Sequence, residues 1–257
     1  MEVPFVKYHG AGNDFVIIDN TSAAYTLTRE AIAFICHRRF GVGSDGLMLI
    51  EKSEEAAFYM RYFNSDGNES TMCGNGGRCI AHFAHSIGLA GESISFMGID
   101  GPHQATILAP DRIKLKMKNI DRVDHHPGYY FLDTGSPHHV VFKDDVRNTD
   151  VVTEGKNIRY SDKYPAGTNV DFVEILDTNR IFVRTYERGV EDETLSCGTG
   201  VVAAAIATNI SGNPKDVFII ETRGGELEVS FSYQKNEFID VYLTGPVKFV
   251  FSGKIVL

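Results

Sequence analysis

Met72-Cys73-Gly74-Asn75-Gly76-Gly77-Arg78-Cys79 and Ser196-Cys197-Gly198-Thr199-Gly200 are the two stretches on which the reading of this chain turns. Each is a cysteine followed by a Gly-x-Gly turn and then by a helical pattern. After the first, Ile80, Phe83, Ala84 and Ile87 recur at i, i+3, i+4 and i+7 and stop at Gly88. After the second, Val201–Ala207 is small and wholly apolar, which predicts a helix buried on all sides. Each turn is preceded by a strand-like run and a polar loop, Tyr62-Phe63-Asn64 in one case and Thr185-Tyr186-Glu187-Arg188 in the other. Cys73 lies 9 residues after Asn64, and Cys197 lies 10 after Glu187. Cys197 follows Cys73 by 124 residues, close to half of the 257-residue chain. A second pair of loops, Gly10–Val16 and Thr134–Val140, keeps that offset, with His138 standing 124 residues after Asp14. The spacing predicts one half folded twice and facing itself.

The remaining pattern agrees with an α+β chain that has more strand than helix. Phe15–Ile18, Phe58–Phe63 and Arg112–Met117 read as strands in the first half, and Thr168–Ile175, Arg180–Tyr186, Val217–Thr222 and Phe238–Leu243 in the second. Thr28 is placed to cap a helix running to about Arg39 and stopping at Gly41. The loop Asp121–Gly128, with Pro127 and two histidines, is the expected mid-chain boundary. The domains are accordingly expected at residues 1–117 and 118–246.

Composition removes several function classes. Hydrophobic residues make up 43% of the chain and charged residues 23%, which predicts a packed core rather than disorder. A net charge of −9 argues against a nucleic-acid or anionic-membrane binder, though a local pocket can still take an anionic small molecule. No apolar run is long enough for a membrane-spanning helix, and the opening Met1–Phe5 lacks the basic-then-apolar layout of a signal peptide. Four cysteines are too few for a disulfide scaffold. A cytoplasmic protein with free thiols is the expectation.

A cysteine at a strand-to-helix turn sits at the free N–H groups and positive dipole end of the helix. That environment is expected to lower the thiol pKa. The glycines let the backbone approach an anionic carboxylate closely. Two such turns related by a pseudo-two-fold would hold one carboxylate between two thiols, one on each face of the attached carbon. The chemistry this suits is removal of an α-proton on one face and its return on the other, with the developing charge held by converging N–H groups. No motif calls for a cofactor, and none is expected.

His9-Gly10-Ala11-Gly12-Asn13-Asp14-Phe15, Met72–Cys79, Glu187-Arg188-Gly189 and Ser196–Gly200 together resemble the signatures of the diaminopimelate epimerases, in order and over essentially the whole chain. The resemblance implies two pseudo-symmetric domains, each a mixed or antiparallel sheet wrapped around a central helix. Residues 247–257 would return to the first domain's sheet. It implies interconversion of LL- and meso-diaminopimelate, which feeds lysine and peptidoglycan synthesis, and a homodimer. Carried across by motif, Cys73 and Cys197 are the acid–base pair. Asn13, Asn64, Asn169 and Arg188 hold the substrate's polar ends, with Arg188 suited to the distal carboxylate by its planar fork. Glu187 meets an ammonium group and, with His138, tunes the thiols. Gly74, Asn75, Gly198 and Thr199 supply the donors of the helix starts. Two positions depart from the commoner pattern: Gly46 stands where glutamine is frequent, and Ser136 where asparagine is frequent.

Other features read as structural. Cys36 and Cys79 have no zinc-ligand spacing and are expected to pack. His82 and His85 at i, i+3, and the pair His125-His126, lack a carboxylate cluster and suggest no metal. Gly41-x-Gly43-x-x-Gly46 follows a helix and precedes a strand, the wrong order for a dinucleotide site. The rivals are a proline-type racemase or an isomerase on the same fold, and a non-catalytic amino-acid binder or redox sensor.

Overall fold

The computed structural model describes residues 1–257. The chain divides into two compact units, Met1–Leu115 with Gly245–Leu257, and Lys116–Thr244. The first contains β1 (Glu2–Gly10), β2 (Asn13–Asp19), α1 (Arg29–Cys36), β3 (Gly46–Glu51), β4 (Phe58–Asn64), β5 (Glu69–Ser70), α2 (Gly74–Ser86), β6 (Ser93–Gly98), β7 (Gly101–Ala109) and β8 (Arg112–Lys116). The second contains β9 (Val123–His126), β10 (Tyr129–Asp133), β11 (Pro137–Phe142), α3 (Val151–Arg159), β12 (Asn169–Asp177), β13 (Arg180–Glu187), β14 (Asp192–Thr194), α4 (Gly198–Ile210), β15 (Val217–Thr222), β16 (Gly225–Gln234) and β17 (Glu237–Pro246). The C-terminal strand β18 (Lys248–Val256) lies antiparallel to β1 in the first unit.

The two units repeat one another strand for strand. In the first, β1 pairs antiparallel with β2, β2 parallel with β3, β3 antiparallel with β4, β4 parallel with β6, and β6 antiparallel with β7, which continues to β8. In the second, the same sequence of antiparallel and parallel joints runs from β10 through β11, β12, β13, β15 and β16 to β17. A parallel joint needs a crossover. Here α1 and α3 make the first crossover of each unit, and α2 and α4 the second.

The crossovers explain the apolar runs. Val16, Ile18, Leu47 and Leu49 pack with Ile32 and Ile35 of α1. On the opposite face, a Cβ at Gly76 of α2 would meet Met48 at 3.3 Å and Phe15 at 3.5 Å. β2 and β3 are thus covered on both faces, as a continuous hydrophobic run requires. In the second unit, Val170, Phe172 and Phe182 pack with Val151 of α3, and α4 is buried from Val201 through Asn209.

Several expectations are corrected. α1 ends at Cys36 rather than near Arg39, because the ring nitrogen Nδ1 of His37 accepts from the N–H groups of Arg39 and Phe40 and turns the chain. Ile87 is 44% exposed and leaves the buried stripe of α2, whose last helical residue is Ser86. Asp121–Gly128 is not a loop throughout: its middle half, Val123–His126, forms β9, which folds back on β10 through the turn at Pro127-Gly128. No helix is long and apolar enough to cross a membrane.

Candidate active site

Cys73 is the N-cap of α2, with extended backbone at φ −94° and ψ 132°. Its Sγ lies 3.5 Å from Asn13 Oδ1, which also accepts from Asn75 Nδ2 at 3.3 Å. The other end of the Asn13 amide donates to Asp45 Oδ2 at 2.6 Å. One asparagine at the start of β2 therefore ties the cysteine turn to the loop before β3. Asn64 ends β4 opposite Gly46, with its N–H donating to the Asn68 carbonyl. Its exposed side chain stands outside the hydrogen bonds that join Asn13, Cys73 and Asn75. A Cβ at Gly46 would stand 2.6 Å from the Tyr62 ring and 3.0 Å from its hydroxyl. The place of a side chain at position 46 is taken by that ring, packed edge-on against Phe15, which is why glycine stands here.

The second turn repeats the geometry with different surroundings. Cys197 is the N-cap of α4, at φ −108° and ψ 114°, and is buried. Its Sγ is 3.5 Å from Thr199 Oγ1, and the Thr199 carbonyl accepts from Thr134 Oγ1 at 2.9 Å. Asn169 Oδ1 accepts the backbone N–H of Arg188 at 2.8 Å. Asn169 Nδ2 donates to Ser136 Oγ at 2.8 Å, and Arg188 Nη2 reaches the same oxygen at 3.4 Å. Arg188 Nη1 donates to the Ala166 carbonyl at 3.3 Å. Ser136 is thus a joint between two of the expected binding residues.

His138 lies in β11, not in a loop, and is fully buried. Its Nδ1 is 2.7 Å from Asp171 Oδ2, and its Nε2 is 3.5 Å from Asn169 Nδ2. Asp171 Oδ1 accepts from Thr185 Oγ1 at 2.7 Å. This buried Asp171–His138–Thr185 cluster sits directly under the start of α4. A Cβ at Gly200 would stand 2.3 Å from Asp171 Oδ1 and 3.2 Å from Cys197 Cβ. The sequence reading missed Asp171 and Thr185. The available signal was a carboxylate inside the apolar run Val170-Asp171-Phe172-Val173, since a fully buried Asp is rare without a partner.

The thiol electrostatics correct a second expectation. The Cys197 thiol is held well above its ordinary range, by burial first and then by the carboxylates of Glu187 and Asp171. Loss of hydration and two nearby negative charges outweigh the helix start. Glu187, the last residue of β13, bears on Cys197 by raising its thiol. Cys36 and Cys79 are buried. Burial pushes the Cys36 thiol up and the Cys79 thiol up to about 12. All four cysteines are free. No three His, Cys, Asp or Glu side chains are grouped to hold a metal ion.

The diaminopimelate epimerase family model matches residues 5–121 and 130–250. The chain belongs to the diaminopimelate epimerase family. It is 50% identical to a diaminopimelate epimerase of Flavobacterium psychrophilum over 252 residues, covering 97% of this chain and 98% of that one. It is 42% identical to a diaminopimelate epimerase of Chlorobaculum tepidum over 260 residues, covering 96% and 99%. Membership makes it an isomerase acting on amino acids. The fold reaches further than the family. A phenazine biosynthesis protein of the PhzF family from Bacillus anthracis superposes with a TM-score of 0.80 at 15% identity over the whole of both chains. A hydroxyproline epimerase from Agrobacterium vitis superposes with a TM-score of 0.72 at 13% identity, covering 100% of this chain and 93% of that one.

Proposed function

We propose that this chain interconverts LL- and meso-diaminopimelate without a cofactor, with Cys73 and Cys197 alternating as base and acid. The observation that carries the reading is the repeated turn: each unit sets one cysteine as the N-cap of its central helix, with Gly-x-Gly behind it. A thiolate on one face of the α-carbon takes the α-proton, so a C–H bond breaks and an S–H bond forms. The electron pair spreads into the α-carboxylate, held by the N–H groups at Gly74, Asn75, Gly198 and Thr199. The second thiol gives its proton to the opposite face, its S–H bond breaks, and the configuration inverts. The pair ends with roles exchanged and is reset through solvent.

In this scheme Asn13, Asn64 and Asn169 hold polar ends of the substrate and Arg188 grips the distal carboxylate. Glu187 meets an ammonium group, and His138 acts on Cys197 through Asp171. The product would enter lysine and peptidoglycan precursor synthesis in the cytoplasm, a reducing compartment in keeping with four free cysteines. A homodimer is part of the proposal, supported by the apolar run Phe249, Val250 and Phe251 of β18, each between 43% and 49% exposed.

The test is α-proton exchange on LL-diaminopimelate in deuterium oxide, with purified protein and no added cofactor. Deuterium at the α-carbon together with meso product is the expected result. Binding without exchange would make the chain an amino-acid binder, and activity only with added pyridoxal phosphate would refute the two-thiol scheme.

A further inference from the structure

Arg78, five residues into the turn that begins at Cys73, is fully buried. It makes no ion pair. Its Nη1 donates to the Gly74 carbonyl at 3.0 Å and its Nη2 to Asn75 Oδ1 at 2.8 Å, while its Nε has no partner. The guanidinium is thus clamped against the first turn of α2, on the residue next to Cys73. Room for it is left by Gly10, where a Cβ would stand 3.3 Å from Nη2. A buried charge without a counter-charge is costly to fold and is a recognised mark of a functional site. Burial lowers Arg78 to about 10, so it remains a cation at neutral pH.

The ionisable groups around this cation narrow the counter-charge to one. The ionisable groups that bear on Arg78 are Cys79 and Cys73. Cys79, buried and pushed up to about 12, stays a neutral thiol. From β1, Tyr8 is raised by burial and is neutral as well. From the loop before β3, Asp45 is already engaged by Arg38 and by Asn13. From the turn between β6 and β7, Asp100 bonds His103 and the Met72 N–H. From β2, Asp14 is paired with Lys7 and Arg38, which leaves Cys73 to answer the charge.

The duplication sharpens the point. The position of α4 equivalent to Arg78 is Val202, and the position of β3 equivalent to Asp171 is Leu47, all of them fully buried. Each unit places one buried charge near its cysteine turn, of opposite sign and at a site where the other unit has an aliphatic residue. A two-base inversion needs that inequality, because two thiols or two thiolates at rest cannot turn over.

We propose that Arg78 is a positioning residue that holds Cys73 as the thiolate of the pair, while the carboxylates around Cys197 keep that residue a thiol. This rests on the reading of both cysteines as the acid–base pair, and its test reads the thiol directly. The full chain is labelled with iodoacetamide across a pH series, and the modification of Cys73 and Cys197 is quantified separately by peptide mass spectrometry. In the parent, Cys73 reaches half-maximal labelling at lower pH than Cys197. Arg78→Met raises the Cys73 midpoint by about one unit or more and leaves that of Cys197 in place, and Arg78→Lys stays near the parent. Should Arg78→Met fail to fold, Gly10→Ala, which crowds Nη2, shifts Cys73 in the same direction. Equal midpoints in the parent, an unmoved Cys73 in the folded variant, or both cysteines moving together would overturn the assignment. Labelling requires no turnover, so a parent that exchanges no α-proton refutes the epimerase reading, while the Cys73 midpoint in Arg78→Met still decides that of Arg78.

Discussion

Adding one methyl group at Gly200 is expected to damage both stability and turnover. The added Cβ would lie 2.3 Å from Asp171 Oδ1, 3.1 Å from Thr185 Oγ1 and 3.2 Å from Cys197 Cβ. The first contact falls more than an ångström inside ordinary van der Waals distance. Asp171 cannot swing aside freely, because it is buried and fixed by bonds to Thr185 and His138, each at 2.7 Å. Either the start of α4 lifts or the carboxylate loses a partner. Alanine in place of helical glycine returns about 1 kcal/mol. Overpacking costs about 1–3 kcal/mol, and a lost hydrogen bond to a charged group about 1.5–3 kcal/mol. The net is a loss of about 1.5–5 kcal/mol. A shift of Cys197 by about 1 Å would lower kcat on the order of 100-fold. Urea unfolding and α-proton exchange measure the two effects, with Gly91→Ala as the control, since nothing lies within 4 Å of a Cβ there. A Gly200→Ala protein that unfolds and turns over like the parent would show that α4 does not rest on the Asp171 cluster as described.

Cys73→Ala and Cys197→Ala are each expected to abolish epimerisation, whereas Cys36→Ala and Cys79→Ala stay within a few-fold; full activity in either of the first pair would end the two-base reading. Arg188→Lys keeps the charge but loses the fork, so KM for diaminopimelate rises about 10-fold with a smaller change in kcat, and an unchanged KM would remove Arg188 from the distal end. Asp14 gives a pH signature: burial alone would raise its carboxyl, but the bonds to Arg38 and Lys7 outweigh burial and hold it at about 2. Its folded value lies below the unfolded one, so its contribution of about 2 kcal/mol is present above about pH 4 and is lost as pH falls through 2. Asp14→Asn should therefore be less stable at neutral pH and converge with the parent in acid, as urea midpoints at several pH values will show.

The fold was largely legible because a duplication writes its topology twice. The common offset of Asp14 with His138 and of Cys73 with Cys197 survives in the structure as the matched joints β2–β3 and β11–β12 and as two helices of equal length. Local boundaries were less legible where side chains decide them. The His37 ring ends α1 before the periodicity does, and β9 forms because Asp121–Gly128, loop-like in composition, finds β10 as a partner. Hydrogen bonds join Asn13 to Cys73, both in motifs quoted from the sequence, and Asn169, which lies in none of those motifs, to Arg188.

What the offset could not reveal is where the two units differ. A repeat is visible by likeness, and Arg78 against Val202 and Asp171 against Leu47 are unlike pairs. A helix-start argument assigns the same lowered thiol to both turns, because it sees only backbone dipoles. Burial with Glu187 and Asp171 raises Cys197 instead, and nothing in the Ser196–Gly200 motif contains either carboxylate. Those groups arrive from β12 and β13, brought beneath α4 by the parallel joint of β11 with β12 and its antiparallel neighbour. The protonation state of Cys197 is therefore a tertiary property. A sequence reading reaches it only by asking why a carboxylate interrupts Val170–Val173, and reaches Arg78 by asking why an arginine stands in a helix that is otherwise packed on its sheet.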